Sequence, residues 1–351
     1  MTMTRMQDIQ IQLGAEFEGH STVPVSFGND AMALQAARSG VAICDRSHWG
    51  RLQLSGADRL TFLHNQSTNN LNRLKPGEGC DTVLVTPTAR TIDLATAYVL
   101  DDTLLLLVSP NRRERLLKWL DRYIFFGDKV TLTDVTDQTA AFTLVGPESH
   151  SLLQRIGLSM LDARSDASHR CVRLAEQDVR IAMGSGLAIP GYTLFVAADG
   201  AAAVWHVLVE SGAVPFGDRV WERLRIEQGR PAPDHELTED YNPLEAGLWQ
   251  TISFDKGCYI GQETIARLNT YNGVKQRLWG LQLSSPAAIG SLITLENEKV
   301  GTLTSVTQTE QGVFGMGYIR TKAGGAGLRV QVGDVEGCVV AVPFLQHDRR
   351  D

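Results

Sequence analysis

The spacing of apolar and polar positions divides the chain into three textures. Residues 29–38 (N-D-A-M-A-L-Q-A-A-R) have helical spacing, with Asn29 or Asp30 as the cap and Gly40 as the stop. Residues 55–66 predict a second helix carrying Leu60, Phe62 and Leu63. After Pro76-Gly77, extended segments are expected at 82–85, 92–100 and 103–108, the last two joined as a hairpin by Asp101-Asp102. Residues 111–126 are amphipathic, with Leu116, Leu117, Leu120 and Ile124 on one face, and 129–135 return as a strand.

A similar order recurs. Residues 141–145 read as a strand, 149–156 as a helix, 172–174 and 179–183 as a hairpin, 192–196 as a strand, and 201–210 and 218–228 as helices. This is an α+β pattern, two units built around antiparallel sheets. No sequence-level repeat links them. Beyond Val274 helical periodicity stops. Short β-rich pieces at 277–283, 292–295, 300–307, 313–319, 328–332 and 338–342 alternate with Gly, Pro and Asn, which predicts a small all-β barrel or sandwich.

Length supports this division, since 351 residues exceed one compact core and suggest two or three domains. The formal charge of −7, from 33 basic against 40 acidic residues, is no nucleic-acid footprint, so a tight, direct nucleic-acid partner is not expected. The start, M-T-M-T-R-M-Q-D-I-Q-I-Q, has no apolar core for a signal peptide, and no run approaches the length of a membrane span. Five scattered cysteines, Cys44, Cys80, Cys171, Cys258 and Cys338, form no disulfide framework, zinc motif or cluster-binding group. Reduced thiols point to a cytoplasmic location. The histidines show no metal spacing, and His48 and His64 read as packing or capping groups.

One cysteine stands apart. F-D-K-G-C-Y-I-G-Q-E-T-I-A-R (residues 254–267) sets Cys258 between Gly257 and Gly261, two residues after Lys256, at the junction with the β-rich tail. Glycines allow positive φ and close ligand approach. In an extended segment Lys256 and Cys258 point the same way, and an ammonium beside a thiol favours the reactive thiolate. Residues 264–268 predict a short helix, whose first amides near Gln262 suit an anion, with Arg267 as a fork for a carboxylate. Cys258 is expected to be solvent-reachable and the most reactive thiol, and Cys44 and Cys338, in apolar runs, buried.

K-G-C-Y-I-G-Q-E, with Ala266-Arg267 following, resembles the signature of the YgfZ-type folate-binding proteins. These are relatives of the glycine-cleavage T-protein aminomethyltransferases and include mitochondrial iron–sulfur assembly factors. The resemblance extends to residues 41–70, to L-R-I-E-Q-G-R-P (224–231), to N-P-L-E-A-G-L (242–248), and to K-V-G-T-L-T-S-V and G-M-G-Y-I in the tail. It implies a three-lobed cloverleaf of two α+β domains and a C-terminal β-barrel. The lobes would be residues 1–48 with 138–245, residues 49–137, a linker at 246–274 and a barrel at 275–351.

It also implies tetrahydrofolate or a derivative in an opening between lobes, near Gln66, Thr68, Asn69, Asp93, Tyr192, Tyr259, Gln262, Glu263 and Arg267, with Lys256 and Cys258 as the working groups. The implied role is in iron–sulfur cluster assembly or repair, supporting client enzymes that include tRNA-modifying ones. The T-protein's T-G-E-x-G-Y/F-E-like run stands here as G-L-A-I-P-G-Y-T (186–193), with Ile189 and Thr193 where its acids would be. Its G-G-x-x-D-D run appears as A-R-T-I-D-L (89–94), keeping only Asp93. Neutral residues there do not offer the paired acceptors of a pterin's N–H edge. Aminomethyl transfer and a non-catalytic folate sensor are the competing readings. For the bare residues, Asp93 also reads as a solvent-facing strand position, Tyr192 and Trp249 as core rings, and Arg225 and Glu227 as structural contacts.

Overall fold

The computed structural model describes residues 6–19, 21–158 and 166–348, so the first five residues of the polar N-terminal stretch lie outside the described residues. Helices α1 (Met6–Gln12) and α2 (Asp30–Ser39) come first, then β1 (Ala42–Asp45), β2 (Gly50–Ser55) and α3 (Arg59–Gln66). Next are β3 (Gly79–Val85), β4 (Thr91–Val99), β5 (Thr103–Val108), α4 (Arg113–Asp121), β6 (Thr131–Asp134), β7 (Thr139–Val145) and α5 (Ser149–Arg155). The middle continues with β8 (His169–Leu174), β9 (Gln177–Met183), β10 (Gly191–Ala197), α6 (Ala201–Glu210), β11 (Val214–Phe216) and α7 (Asp218–Gln228). After α8 (Gln262–Thr270) only strands follow: β12 (Gln276–Leu283), β13 (Leu292–Leu295), β14 (Glu298–Thr309), β15 (Gly312–Arg320), β16 (Arg329–Val332) and β17 (Val335–Val340).

The class is the expected α+β, with two sheets and a closed barrel rather than a sandwich. One sheet has the order β11-β1-β7-β10-β9-β8, the other β3-β4-β5-β2-β6, and the barrel β12-β15-β14-β13-β16-β17. The sheets are antiparallel except where β11 runs parallel to β1. By contacts the chain forms two compact units. The first comprises Met1–Leu60, Arg73–Cys80 and Thr96–Glu222, the second Thr61–Asn72, Asp81–Ala95 and Arg223–Asp351.

In the first unit, Phe142 and Leu144 on β7, Leu194 on β10 and Ile181 on β9 meet Trp205 and Leu208 of α6 in one buried cluster. Strand β7 (T-A-A-F-T-L-V) is buried along nearly its whole length, which fits a central strand covered on both faces. Strands β1, β2 and β11 escape the periodicity reading. A short strand buried on both faces shows no alternation, and β1 (A-I-C-D) is buried throughout.

Two helix boundaries differ from expectation. Strand β2 runs to Ser55, and Gly56 then takes a φ of +97°, a conformation no helix contains, so α3 starts at Arg59 rather than at residue 55. Helix α4 ends at Asp121 because residues 125–128 form a turn, in which the Asp128 carboxylate accepts the Phe125 amide and Gly127 takes a φ of +106°.

In the second unit, Leu281, Ile293, Leu303, Ile319, Val332 and Val339 fill the barrel. Register shifts at Ile293/Thr294 and Leu303/Ser305 mark bulges, which bend strands so that a sheet can close. A buried ion pair joins α7 to the barrel strands. Arg225 Nη1 lies 3.0 Å from Glu236 Oε2, with side-chain exposures of 3% and 0%. The other Glu236 oxygen accepts Thr304 and Ser305 of β14, and the Tyr318 hydroxyl donates to its backbone carbonyl. No described helix is long and apolar enough to cross a membrane.

Candidate functional site

Within the second unit, residues 251–260 wrap the carbonyl end of α3. The last four carbonyls of a helix have no partner inside it. Here Leu63 O accepts the Ser67 hydroxyl at 2.8 Å, His64 O the Lys256 ammonium at 2.5 Å, and Asn65 O the Ile260 amide at 2.9 Å. Farther along the segment, Thr68 O accepts the Ser253 amide and the Thr68 hydroxyl donates to Thr251 O. The loop is therefore fastened near both ends.

Lys256 is the inner anchor. Its Nζ also donates to Ser67 O and Asn69 O, each at 2.7 Å, and lies 4.6 Å from the centroid of the Tyr259 ring. The residue is 7% exposed. The expectation that it sits beside the thiol rested on an extended segment, but residues 256–258 form no strand, and the ammonium turns inward to three carbonyls while Cys258 is exposed. Burial and then the nearby ammonium push His64 down to about 4. Burial pushes the Tyr259 phenol up.

The two glycines differ. Gly261 takes a φ of +79°, and an added Cβ would lie 2.9 Å from the Thr86 carbonyl oxygen and 3.0 Å from Ala89 Cα. It is the turn into α8, so glycine is required there. Gly257 is not in the left-handed region, and nothing stands within 4 Å of a Cβ built on it. It leaves open space beside Cys258.

The remaining sequence-predicted residues are scattered in role. Thr68 is fully buried and its hydroxyl is engaged with Thr251 O and the Val83 amide. Asn69 Nδ2 donates to Asp81 O, and its Oδ1 accepts the Asn70 amide. Asp93 is 0% exposed on β4, not the solvent-facing strand residue of the bland alternative. Gln262 is half-buried at the start of α8, and its amide donates to Tyr259 O. Glu263 and Arg267 are exposed on α8. Tyr192 belongs to the first unit, where it is 6% exposed in the core and its hydroxyl meets His150 Nδ1 at 2.9 Å. Trp249 packs in the second unit and donates to Leu244 O. Glu227 pairs with Arg223 at 2.7 Å.

Hydrogen-bond completeness picks out what residue type alone does not. Gln66 Oε1, Asn70 Oδ1 and His64 Nδ1 are buried atoms with no hydrogen-bond partner. Buried acceptors are nearly always paired, so such a group near an exposed loop fits an external donor. Asn70 was missed because its polar neighbours 65–69 look identical in sequence; only the count of bonds separates it.

Among the thiols, Cys258 and Cys171 are exposed, Cys80 and Cys338 half-buried and Cys44 buried. Burial pushes the Cys44 thiol up strongly, keeping it protonated. Cys338 was expected inside. It faces outward instead because β17 alternates, pairing it in register with Gln282 and Arg329.

Known proteins share this architecture. The family model of the GCVT N-terminal domain matches residues 6–256. Over 323 residues the chain is 48% identical to a protein of Arabidopsis thaliana described as a chloroplastic transferase, covering 91% of this chain and 75% of that one. It is 28% identical over 361 residues to the aminomethyltransferase of Halothermothrix orenii, covering 98% and 100%. Among solved structures, the glycine cleavage system aminomethyltransferase T from Bartonella henselae matches with a TM-score of 0.84 at 18% identity, covering 98% of each chain. That last likeness concerns the fold alone.

Proposed function

The chain belongs to the GCVT family, and from that premise we propose that it binds a reduced folate and acts in iron–sulfur cluster assembly or repair. The observation that carries the reading is the loop at 251–260, which presents the exposed Cys258 while hydrogen-bonded to a segment holding two orphan acceptors. Gln66 Oε1 and Asn70 Oδ1 suit the N–H edge of a pterin, which needs acceptors. The Arg267 guanidinium suits the carboxylates of a folate tail. When bound, a reduced folate supplies one-carbon carriage. The chain's own residues hold it and keep the thiol outside. A cysteine thiolate is a ligand for iron, so Cys258 is the group that meets the cluster or its carrier. The partners are iron–sulfur enzymes or assembly proteins, and support of tRNA modification is indirect, in keeping with the formal charge of −7.

Aminomethyl transfer is the second reading, favoured by the names of the relatives. Against it, Thr193, at a position where the T-protein resemblance puts an acid, is 2% exposed and donates its hydroxyl to Gly184 O. Calorimetry with tetrahydrofolate is expected to give binding heat at micromolar protein, weakened in Gln66→Ala and Asn70→Ala. Cys258→Ser is expected to keep that heat yet fail to restore iron–sulfur enzyme activity in cells lacking the chain. Absence of binding, or full activity of Cys258→Ser, sinks the reading. Methylene-tetrahydrofolate formed from an aminomethyl donor replaces it with the second.

A further inference from the structure

We infer that Lys256 is a positioning residue: its ammonium is the tertiary cap of α3, and that cap holds the thiol loop against the polar segment 64–70. The geometry leads there directly. Three backbone carbonyls, His64 O, Ser67 O and Asn69 O, converge on one nitrogen at 2.5, 2.7 and 2.7 Å. An ammonium has three N–H donors and no acceptor, so its hydrogen-bonding capacity matches the cup. The carbonyl end of a helix is the negative pole of its dipole and favours a cation. The Tyr259 ring covers a further side. At 7% exposure a charged group needs polar partners, and the cup supplies three.

The donor comes from 192 residues away in sequence relative to His64, so this cap ties two distant stretches where an ordinary one closes its own helix. Withdrawing it strands three carbonyls at once. The fastening bonds from Ser253 N–H to Thr68 O and from Ile260 N–H to Asn65 O then lose the anchor between them. Arginine does not substitute, because a planar fork does not present three donors to one converging point. Lys256 thus acts through the loop, not on the thiol.

The test reads amide hydrogen exchange in the full chain at Ser253 and Ile260. In Lys256→Ala, both are expected to exchange at least about tenfold faster, the equivalent of about 1.4 kcal/mol of local stability, while barrel amides are unmoved. Ethylammonium, which refills the cup with a cation, is expected to restore protection, and n-propanol is not. Unchanged exchange in Lys256→Ala, or protection kept by the apolar Lys256→Met, overturns the inference, since packing alone then holds the loop. Should the variants not fold, acetylation of the unsubstituted chain decides: Lys256 is expected to react far more slowly than the exposed Lys75 and Lys299, and equal rates overturn the cap. The inference rests on the functional reading only in calling this region the site. No folate enters either readout, so failure of folate binding and failure of the cap are separately visible.

Discussion

Gly261 and Gly257 flank the same cysteine and answer to different constraints. At Gly261 a side chain meets both a φ of +79° and backbone atoms of residues 86 and 89. Gly261→Ala is expected to cost about 2 kcal/mol or more, because left-handed strain and a backbone clash add. Gly257→Ala, in open space without positive φ, is expected to stay within about 0.5 kcal/mol. Urea midpoints of the two variants check this, and equal midpoints refute it. The K-G-C-Y-I-G-Q-E spacing made the loop legible from sequence, but not which glycine is indispensable. That depends on the turn at residues 86–89, which no local pattern connects to residue 261.

Helices α6 and α7 occupy residues 201–210 and 218–228 as their periodicity predicts. The partner of Arg225 on α7 was not legible. Glu236 lies in a turn whose amide at Ala232 it also satisfies, and it takes two hydroxyls from β14. Glu236→Ala removes the carboxylate that pairs with the buried guanidinium and accepts two hydroxyls, and is expected to cost about 3–5 kcal/mol. Arg225→Met with Glu236→Leu is expected to cost less than Glu236→Ala alone, since the desolvation of both charges is removed together. Denaturant melts decide it. A double variant as unstable as the sum of its single changes refutes the paired-charge account.

Among the described residues, burial holds four histidines below their ordinary value, His347 among them, and so makes stability depend on pH. His48 is pushed down to about 3 by burial and then by Arg46 and Arg51, His64 to about 4 by burial and Lys256, and His169 to about 4 by burial and Arg180. Each is neutral when folded and protonates near about 6.5 when unfolded, so unfolding takes up protons below that pH. Their stabilisation is complete above about 6.5 and is lost as pH falls toward 4, by at most about 1.4 kcal/mol per pH unit for each residue. Asp218, pushed up to about 7 chiefly by burial, acts in the opposite sense over the same range, so the histidine contribution is read by difference. Urea midpoints of His64→Gln and His169→Gln are expected to fall less between pH 7.5 and 5 than those of the unsubstituted chain. Variant profiles that run parallel to the unsubstituted one contradict the burial of these rings as neutral groups.

Local patterns determined the helices from α2 onward but not α1, the hairpin at 101–102, the hairpin expected around 176–177 whose turn lies at 175–176, the β-rich tail and the cysteine loop, because each is set by side-chain spacing and turn chemistry within a few residues. The resemblance carried by K-G-C-Y-I-G-Q-E pointed to the family. Spacing left barrel and sandwich open for the tail and the resemblance implied the barrel, because closure depends on pairing β12 with β17 across some 55 residues of chain, which no local pattern carries. For Tyr192 the tertiary structure agrees with the core reading of the bare ring, and it alone singled out Asn70 by its missing bond. Lys256 is the sharpest case. Its neighbours in sequence suggest a thiol activator, whereas the three carbonyls that hold it, one at the end of α3 and two in the segment just after it, lie nearly 190 residues earlier, where the demand for a cation arises from backbone geometry and not from residue type.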